Sequence, residues 1–331
     1  MQAGALHSNK QGGNTHNTDT MNGQLLKQLE ERMGPKHAKQ RLDIEKAHTA
    51  QVFGQGRNFF HIENWYSVHS LIRNALRLCF MHKKGQQNAR NIRIINNTIQ
   101  LPNLHQDFDG FTILHLSDLH VDMDEQATLA LIQRIREVDY DICVMTGDYR
   151  ARTFGDIEAS IAAMQKVRVH LKQETYAVLG NHDSILMVPA LEEMGITLLL
   201  NEWVHIKQGD GEIYLAGVDD AHYFQVDDIV KASREISPTI PSILLSHTPA
   251  IYQQAADAGF DIVLSGHTHG GQICLPGGIP ITLDSDCPRF VGKGPWRYNN
   301  TQGYTSVGAG TSIVNVRINC PPEITLHRLT K

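Results

Sequence analysis

The chain has 331 residues, 41% of them hydrophobic, enough to bury a substantial core, so it is neither a fibrous nor a wholly disordered polymer. A formal net charge of -5 gives no general attraction to polyanions, and no nucleic-acid partner is expected. Cys79, Cys143, Cys274, Cys287 and Cys320 are scattered, odd in number and never in a CxxC pair, which argues against a disulfide scaffold or a zinc ribbon and points to a reducing compartment.

Residues 1–24 are rich in Gly, Asn, Gln, Thr and Ser, and read as a disordered tail without the apolar segment of a signal peptide. No apolar run in the chain reaches membrane-spanning length. Residues 25–50 hold helix formers with sparse apolar positions, broken at Gly34-Pro35, and read as short, mostly exposed helices. Between Trp65 and Cys79, apolar residues recur at helical spacing, which predicts an amphipathic helix. Around it stand Arg57, Arg73, Arg77, Lys83, Lys84, Arg90 and Arg93, with Glu63 as the single acid. This basic stretch, residues 57–93, has two readings: a peripheral contact with an anionic membrane, or a helix packed on the main domain with its arginines in water. Residues 25–100 are therefore expected to form a helical, partly basic extension, and residues 101–331 the main domain.

From residue 111 the pattern changes. FTILHLSD, DICVMTGD, TYAVLGNHD, PSILLSH and DIVLSGH are short β-rich runs that each end in Asp, Asn or His. The stretches EQATLALIQRIREV, IEASIAAMQKVRV and PAIYQQAADAG, with helical periodicity, separate most of them. This β-then-α order predicts an α/β fold with polar residues gathered above the strand ends. EIYLAGVDD, YTSVGAG, SIVNVRI and EITLHRL read as strands without following helices, which calls for a second sheet or mixed pairing.

The strand-end residues carry the chemistry. Asp118 and His120 lie two positions apart, so in an extended strand end both side chains project to one side and can hold one ion. Gly147 allows a tight turn before Asp148, whose two oxygens can bridge two cations about 3.5–4 Å apart. Gly180-Asn181-His182-Asp183 supplies a neutral oxygen, an imidazole and an acid; His247 follows another strand, and His267 and His269 alternate in GHTH. Each motif alone also reads as a polar cap on a turn. Five of them, each after an apolar run, point to two divalent metal ions, and nitrogen and oxygen donors without thiolate favour Mn, Fe or Zn over Ca.

SDLH, TGD, GNHD, SH and GHTH, in this order between Phe111 and Leu329, resemble the signature of the calcineurin-like metallophosphoesterases. The resemblance implies a four-layer αββα sandwich of two mixed β-sheets flanked by helices, and hydrolysis of phosphoester or pyrophosphate bonds. It implies that Asp118, His120, Asp148 and His269 hold one metal ion, and that Asp148, Asn181, His247 and His267 hold the second. His182 would protonate the leaving group, with Asp183 placed to orient its ring. The two cations would lower the pKa of a shared water to make the attacking hydroxide and would clamp the phosphoryl oxygens. GHTHGGQI running into LPGG, the later Arg289, GAGTSIVNVRINCPPEITLHRL and LAGVDD further resemble the branch of UDP-2,3-diacylglucosamine pyrophosphatase-like and related membrane-associated phosphoesterases. That likeness implies a bacterial enzyme of lipid A biosynthesis acting on a lipid-linked or nucleotide-containing substrate, placed in the cytoplasm and peripheral on the inner face of the membrane.

Tyr149-Arg150 departs from the small or amide residues that often follow the family's GD motif. Arg150 is a candidate contact for a substrate phosphate, against an alternative as a surface ion pair. The insertion from Gly270 to Gly303 reads as a functional loop, with Arg289 for an anionic head group and Trp296 for an apolar contact, against a rigid surface loop. His115, Cys143 and Cys274 read as core residues; Asp122, Asp124, Asp219, Asp220 and His222 read as supporting or solvated groups. The alternatives in function are a soluble nucleotide phosphodiesterase and a non-catalytic metal-site scaffold that binds proteins.

Overall fold

The computed structural model describes residues 15–53, 66–172, 174–283 and 285–331, with side chains described for 23–47 and from 72 onward within those spans. The expected tail at 1–14 and the positions of Arg57, Glu63 and Trp65 lie outside the described residues. The helices are α1 (Thr15–Met33), α2 (Pro35–Phe53), α3 (Tyr66–Leu78), α4 (His82–Ala89), α5 (Glu125–Arg136), α6 (Glu158–Arg168), α7 (Val188–Glu193), α8 (Ile229–Ala232) and α9 (Tyr252–Asp257).

One six-stranded sheet contains β1 (Arg93–Gln100), β2 (Thr112–Leu116), β3 (Ile142–Met145), β4 (Thr175–Ala177), β5 (Thr197–Leu198) and the last strand of the chain, Glu323–Thr330. The other contains β6 (Glu202–Gln208), β7 (Gly211–Gly217), β8 (Ser242–Leu245), β9 (Ile262–Ser265) and the pair Gly294–Tyr298 and Thr301–Thr305. A short hairpin, β10 (Cys274–Leu275) with β11 (Ile279–Pro280), stands apart, so that pair is β12 and β13 and the last strand is β14. The strand orders are β1-β14-β2-β3-β4-β5 and β12-β13-β9-β8-β7-β6. Both sheets are mixed: β2 to β5 run parallel while β14 pairs antiparallel with β2, and β7, β8, β9 and β13 run parallel between two antiparallel edges.

Alternation along the strands builds the layers. Ile113, Ile142 and Val144 face Ile243, Leu245, Ile262 and Leu264 in a core between the sheets. Their neighbours Leu114, Leu116, Cys143 and Met145 turn the other way, onto α1, α2, α5, α6 and α7. Leu244, Val263 and Ala216 turn outward onto α8 and α9. A period of two with both faces apolar therefore gives the four-layer αββα sandwich.

Four expectations change. Helix α1 begins at Thr15, inside the stretch read as a tail, because its apolar residues Leu25, Leu26, Leu29 and Met33 dock on the first sheet and the helix extends backward from that stripe. Helices α1 and α2 are not mostly exposed: Leu29, Met33 and Ala38 are core residues, and Arg41 is fully buried. Strand β1 pairs in parallel with β14 along its whole length, so the sandwich begins before residue 101. Finally, SIVNVRI is not a strand. Ile313 takes a left-handed backbone conformation, and Arg317 turns inward to bond carbonyls of neighbouring turns, which takes this segment out of any ladder beyond one bridge at Ile318.

Candidate metal centre and active site

The predicted ligands converge at the C-terminal ends of β2, β3, β4, β8 and β9. Asp118, His120, Asp148 and His269 form one buried group, and Asp148, His247 and His267 a second, with the donor atoms of each within 4.8 Å of one another. Asp148 belongs to both. Asn181 joins the second group through Oδ1, 2.9 Å from Nε2 of His247.

The local backbone differs from the extended geometry expected for SDLH. Asp118, His120, Asp148, His267 and His269 all have positive φ, between 40° and 70°. Their side chains are aimed by successive left-handed turns, each pinned by backbone bonds such as Asp118 N–H to Gly147 O and His120 N–H to Asp148 O, both 3.0 Å. Gly147 meets its sequence expectation: its φ is +91°, and a Cβ there would lie 2.5 Å from the amide nitrogen of Gly180.

Hydrogen bonds set which ring nitrogen faces the centre. Nδ1 of His120 donates to Arg150 O at 2.7 Å and Nδ1 of His247 to Thr146 O at 2.7 Å, which leaves each Nε2 with a lone pair. Nε2 of His120 then lies 3.2 Å from Nε2 of His269, and Nε2 of His247 lies 3.1 Å from Nδ1 of His267. Ring nitrogens crowded together with carboxylate oxygens in a buried site suit cations. The electrostatics agree. Burial opposes ionisation of Asp148, but His247, His182 and His120 outweigh it and hold the carboxyl well below its ordinary range. Burial also works against a charged His247, yet Asp148, Asp118 and Asp220 raise it to about 10, so without a metal a proton sits where a cation would. Burial lowers His120 to about 4 and raises Asp118 to about 6.

His182 stands beside both groups. Its Nδ1 is 3.0 Å from Ala151 O and its Nε2 is 4.0 Å from Asp148 Oδ2, so the Nε2 edge of the ring points at the shared carboxylate. Asp183 does not orient that ring, contrary to expectation. Its carboxylate accepts the N–H groups of Asp148, Tyr149 and Gly180 at 2.7–2.8 Å and ties two ligand turns together. Buried backbone donors attract a carboxylate more strongly than a neighbouring imidazole that is already satisfied.

Of the three substrate-contact candidates, Arg150 and Trp296 are corrected. Arg150 is buried, and its guanidinium donates to the carbonyls of His182, Thr153 and Gly155; it braces the His182 turn and backs onto a separate cavity of about 760 Å³ under α1 and α2. Trp296 is a core residue of β12, its ring over Gly303 and its Nε1–H bonded to Thr305 Oγ1 at 3.0 Å. Arg289 is exposed, with one long bond to Pro280 O. The insertion carrying Arg289 and Trp296 contains the short strands β10, β11 and β12.

His115, Cys143 and Cys274 are buried as expected. His222 packs its ring 4.3 Å from that of His267, and Asp122 accepts the N–H of Ala151, the residue whose carbonyl holds His182. Sequence reasoning missed Arg317. It is fully buried, donates to the carbonyls of His269, Val307 and Gly310, and lies 3.2 Å from His269 Nδ1. An arginine amid the apolar alternation of IVNVRI is the signal that could have marked it.

Two acid–imidazole groups sharing one carboxylate, on the strand ends of an αββα sandwich, define a class of hydrolase that acts at phosphorus with two cations. Comparison with known proteins agrees. The family profile described as calcineurin-like phosphoesterase matches residues 111–271. The uncharacterized metallophosphoesterase YkoQ of Bacillus subtilis is 30% identical over 262 residues, covering 74% of this chain and 93% of YkoQ. The phosphodiesterase YaeI of Escherichia coli is 30% identical, covering 66% of this chain and 82% of YaeI. A transmembrane protein with metallophosphoesterase domain from Danio rerio is 26% identical, covering 70% of this chain and 56% of that protein. The chain belongs to the calcineurin-like metallophosphoesterases, and it is a phosphoester hydrolase.

Proposed function

We propose that the enzyme cleaves a phosphoester or pyrophosphate bond in an amphiphile, a molecule with a phosphorylated head and an apolar chain, at an anionic membrane surface. The observation that carries this reading is a cavity of about 400 Å³ with two unlike sides. Its floor is Asp148, Asn181, His182, His267 and His269; its walls are Ile72, Ala75 and Leu76 of α3 together with Ile273, Ile281, Ile313 and Val314. A site for a small hydrophilic phosphate has no use for so much apolar surface, whereas an acyl chain gains roughly 0.8 kcal/mol per buried CH₂.

Asp118, His120, Asp148 and His269 would hold one divalent cation and Asp148, Asn181, His247 and His267 the other. Mn, Fe and Zn all match the donors. Such ions supply Lewis acidity at phosphorus and make water acidic enough to attack at neutral pH. His182, whose Nδ1 is held by Ala151 O, would pass a proton from Nε2 to the departing oxygen.

The elements around the cavity support the membrane part. Beyond Leu76 the chain exposes Leu78, Phe80 and Met81, with Arg73, Arg77, Lys83 and Lys84 exposed on the same stretch; beyond the floor, Leu275, Ile279 and Ile281 are exposed. Apolar residues ringed by cations suit the boundary of an anionic bilayer. Among the described residues no helix is long and apolar enough to cross a membrane. UDP-2,3-diacylglucosamine, with a pyrophosphate and two acyl chains, has the required chemistry, and the motif likeness to that branch favours it.

The test is a substrate panel. Mn²⁺-loaded and Zn²⁺-loaded enzyme is assayed on a monoester, a short-chain diester, a lysophospholipid and UDP-2,3-diacylglucosamine, with and without anionic vesicles. At least about tenfold higher kcat/KM on the amphiphiles, together with flotation on vesicles, is expected, since tenfold corresponds to burying about two methylenes. Equal rates on the short diester, indifferent to vesicles, would instead identify a soluble nucleotide-type phosphodiesterase.

A further inference from the structure

We propose that Arg41, on a helix that precedes the family-matched segment, is a positioning residue for His182: helix α2 supplies a buried clamp without which the proton donor is not held in place. The inference rests on the role given to His182 above. The turn Asn181-His182-Asp183-Ser184 has no helix or strand to stiffen it, yet carries a ligand candidate and the acid. Its inner side is tied by the Asp183 carboxylate to the turn of Asp148. Its outer side is tied by α2.

Arg41 is fully buried. Its Nη2 donates to Asp183 O at 2.6 Å, its Nη1 to Asp219 Oδ1 at 2.8 Å and its Nε to Glu45 Oε1 at 3.0 Å, while the guanidinium lies 3.6 Å from the centroid of the Phe224 ring. Glu45, one helical turn on, accepts Ser184 Oγ–H at 2.6 Å and Ile185 N–H at 2.8 Å. Arg150 holds the carbonyl of His182. Arginines thus fix the peptides on both sides of Asp183, one from the sandwich and one from α2. A guanidinium can do this because its donors form a rigid fork; a lysine ammonium offers a point charge. Proton transfer to a leaving group tolerates little misplacement, and an error of about 1 Å costs about 10²-fold.

The test uses the full-length, metal-loaded enzyme and two probes: bis(4-nitrophenyl) phosphate, whose leaving group departs readily as an anion, and diphenyl phosphate, whose leaving group gains from protonation. Arg41→Met and Arg41→Lys are compared with His182→Ala and with the double variant Arg41→Met/His182→Ala. Metal content should stay at the wild-type value. Arg41→Met should lose about 30-fold or more in kcat on diphenyl phosphate and under about threefold on the nitrophenyl ester, within the range of general acid catalysis. Arg41→Lys should recover part of the loss, and the double variant should be no worse than His182→Ala. Zn²⁺-loaded protein gives a second readout without turnover, the NMR resonances of the His182 ring, expected to move in Arg41→Met. Should Arg41→Met fail to fold, Glu45→Gln loosens the same clamp and is read the same way. Losses equal on both probes, or multiplicative in the double variant, together with unmoved His182 resonances, would overturn the proposal. Leaving-group independence of His182→Ala alone would instead overturn the acid role of His182, leaving the double-variant comparison to report on Arg41.

Discussion

The floor and the roof of the cavity are built on opposite principles. Every floor residue is buried and hydrogen-bonded to the backbone or a neighbour, and Asp148, His267 and His269 sit in turns that side chains seldom adopt. The roof is α3, with Ile72 and Leu76 half-buried, Ala75 exposed and Leu78 80% exposed. The floor is over-determined because reaction at phosphorus needs donors fixed before substrate arrives. Among the described residues of the roof, Ile72, Ala75 and Leu76 line the cavity with apolar surface. In the proposed reading, chemistry is set by the floor and substrate choice by the roof.

That contrast can be broken deliberately. Asp148→Asn removes the carboxylate common to both groups; metal content should fall and turnover should drop on the order of 10³-fold, measured by elemental analysis and kinetics. Trp296→Ala, outside both floor and roof, should lower unfolding free energy by about 3 kcal/mol in a denaturant titration while KM stays as it was. A shift in KM instead would return Trp296 to the cavity. Leu76→Asp should raise KM about tenfold for a long-chain lysophospholipid and leave bis(4-nitrophenyl) phosphate untouched, since about 1.4 kcal/mol of apolar contact is lost to one substrate alone. Equal effects on both would make the roof part of the chemistry. Arg289→Ala should change KM less than about twofold, as befits an exposed side chain with one weak bond.

The same contrast explains what could be read in the sequence. Asp118, Asp148, Asn181, His247, His267 and His269 were legible because each ends an apolar run, and strand ends in an α/β fold meet on one edge. Both sheets were legible in outline from strands that keep apolar residues on two faces. Arg41 was not, since its partners Asp183 and Asp219 are far along the chain and an isolated arginine in a helix ordinarily faces water. Trp296 misled because a tryptophan among prolines and glycines resembles a binding loop; only the pairing of β12 with β13 shows that Gly303 makes room for its ring. The role expected of Asp183 failed for a physical reason that sequence adjacency hides, as three backbone N–H groups outcompete one imidazole.

Strand β1 lies against β14, with Arg93 opposite Glu323 and Gln100 opposite Thr330. A ribosome delivers these partners at widely separated times, so β1 stays unpaired until Glu323–Thr330 has been made. Helices α1 and α2 wait less long, because Arg41 can bury its charge once Asp183 and Asp219 have been made. The nascent chain thus carries the unpaired strand β1 while everything between β1 and β14 is made, the condition under which chains call on chaperones. The contacts of Arg41 can therefore form before the first sheet is complete, so a chain stopped between Asp219 and Glu323 could hold the Asn181–Ser184 turn while β1 still lacks its partner.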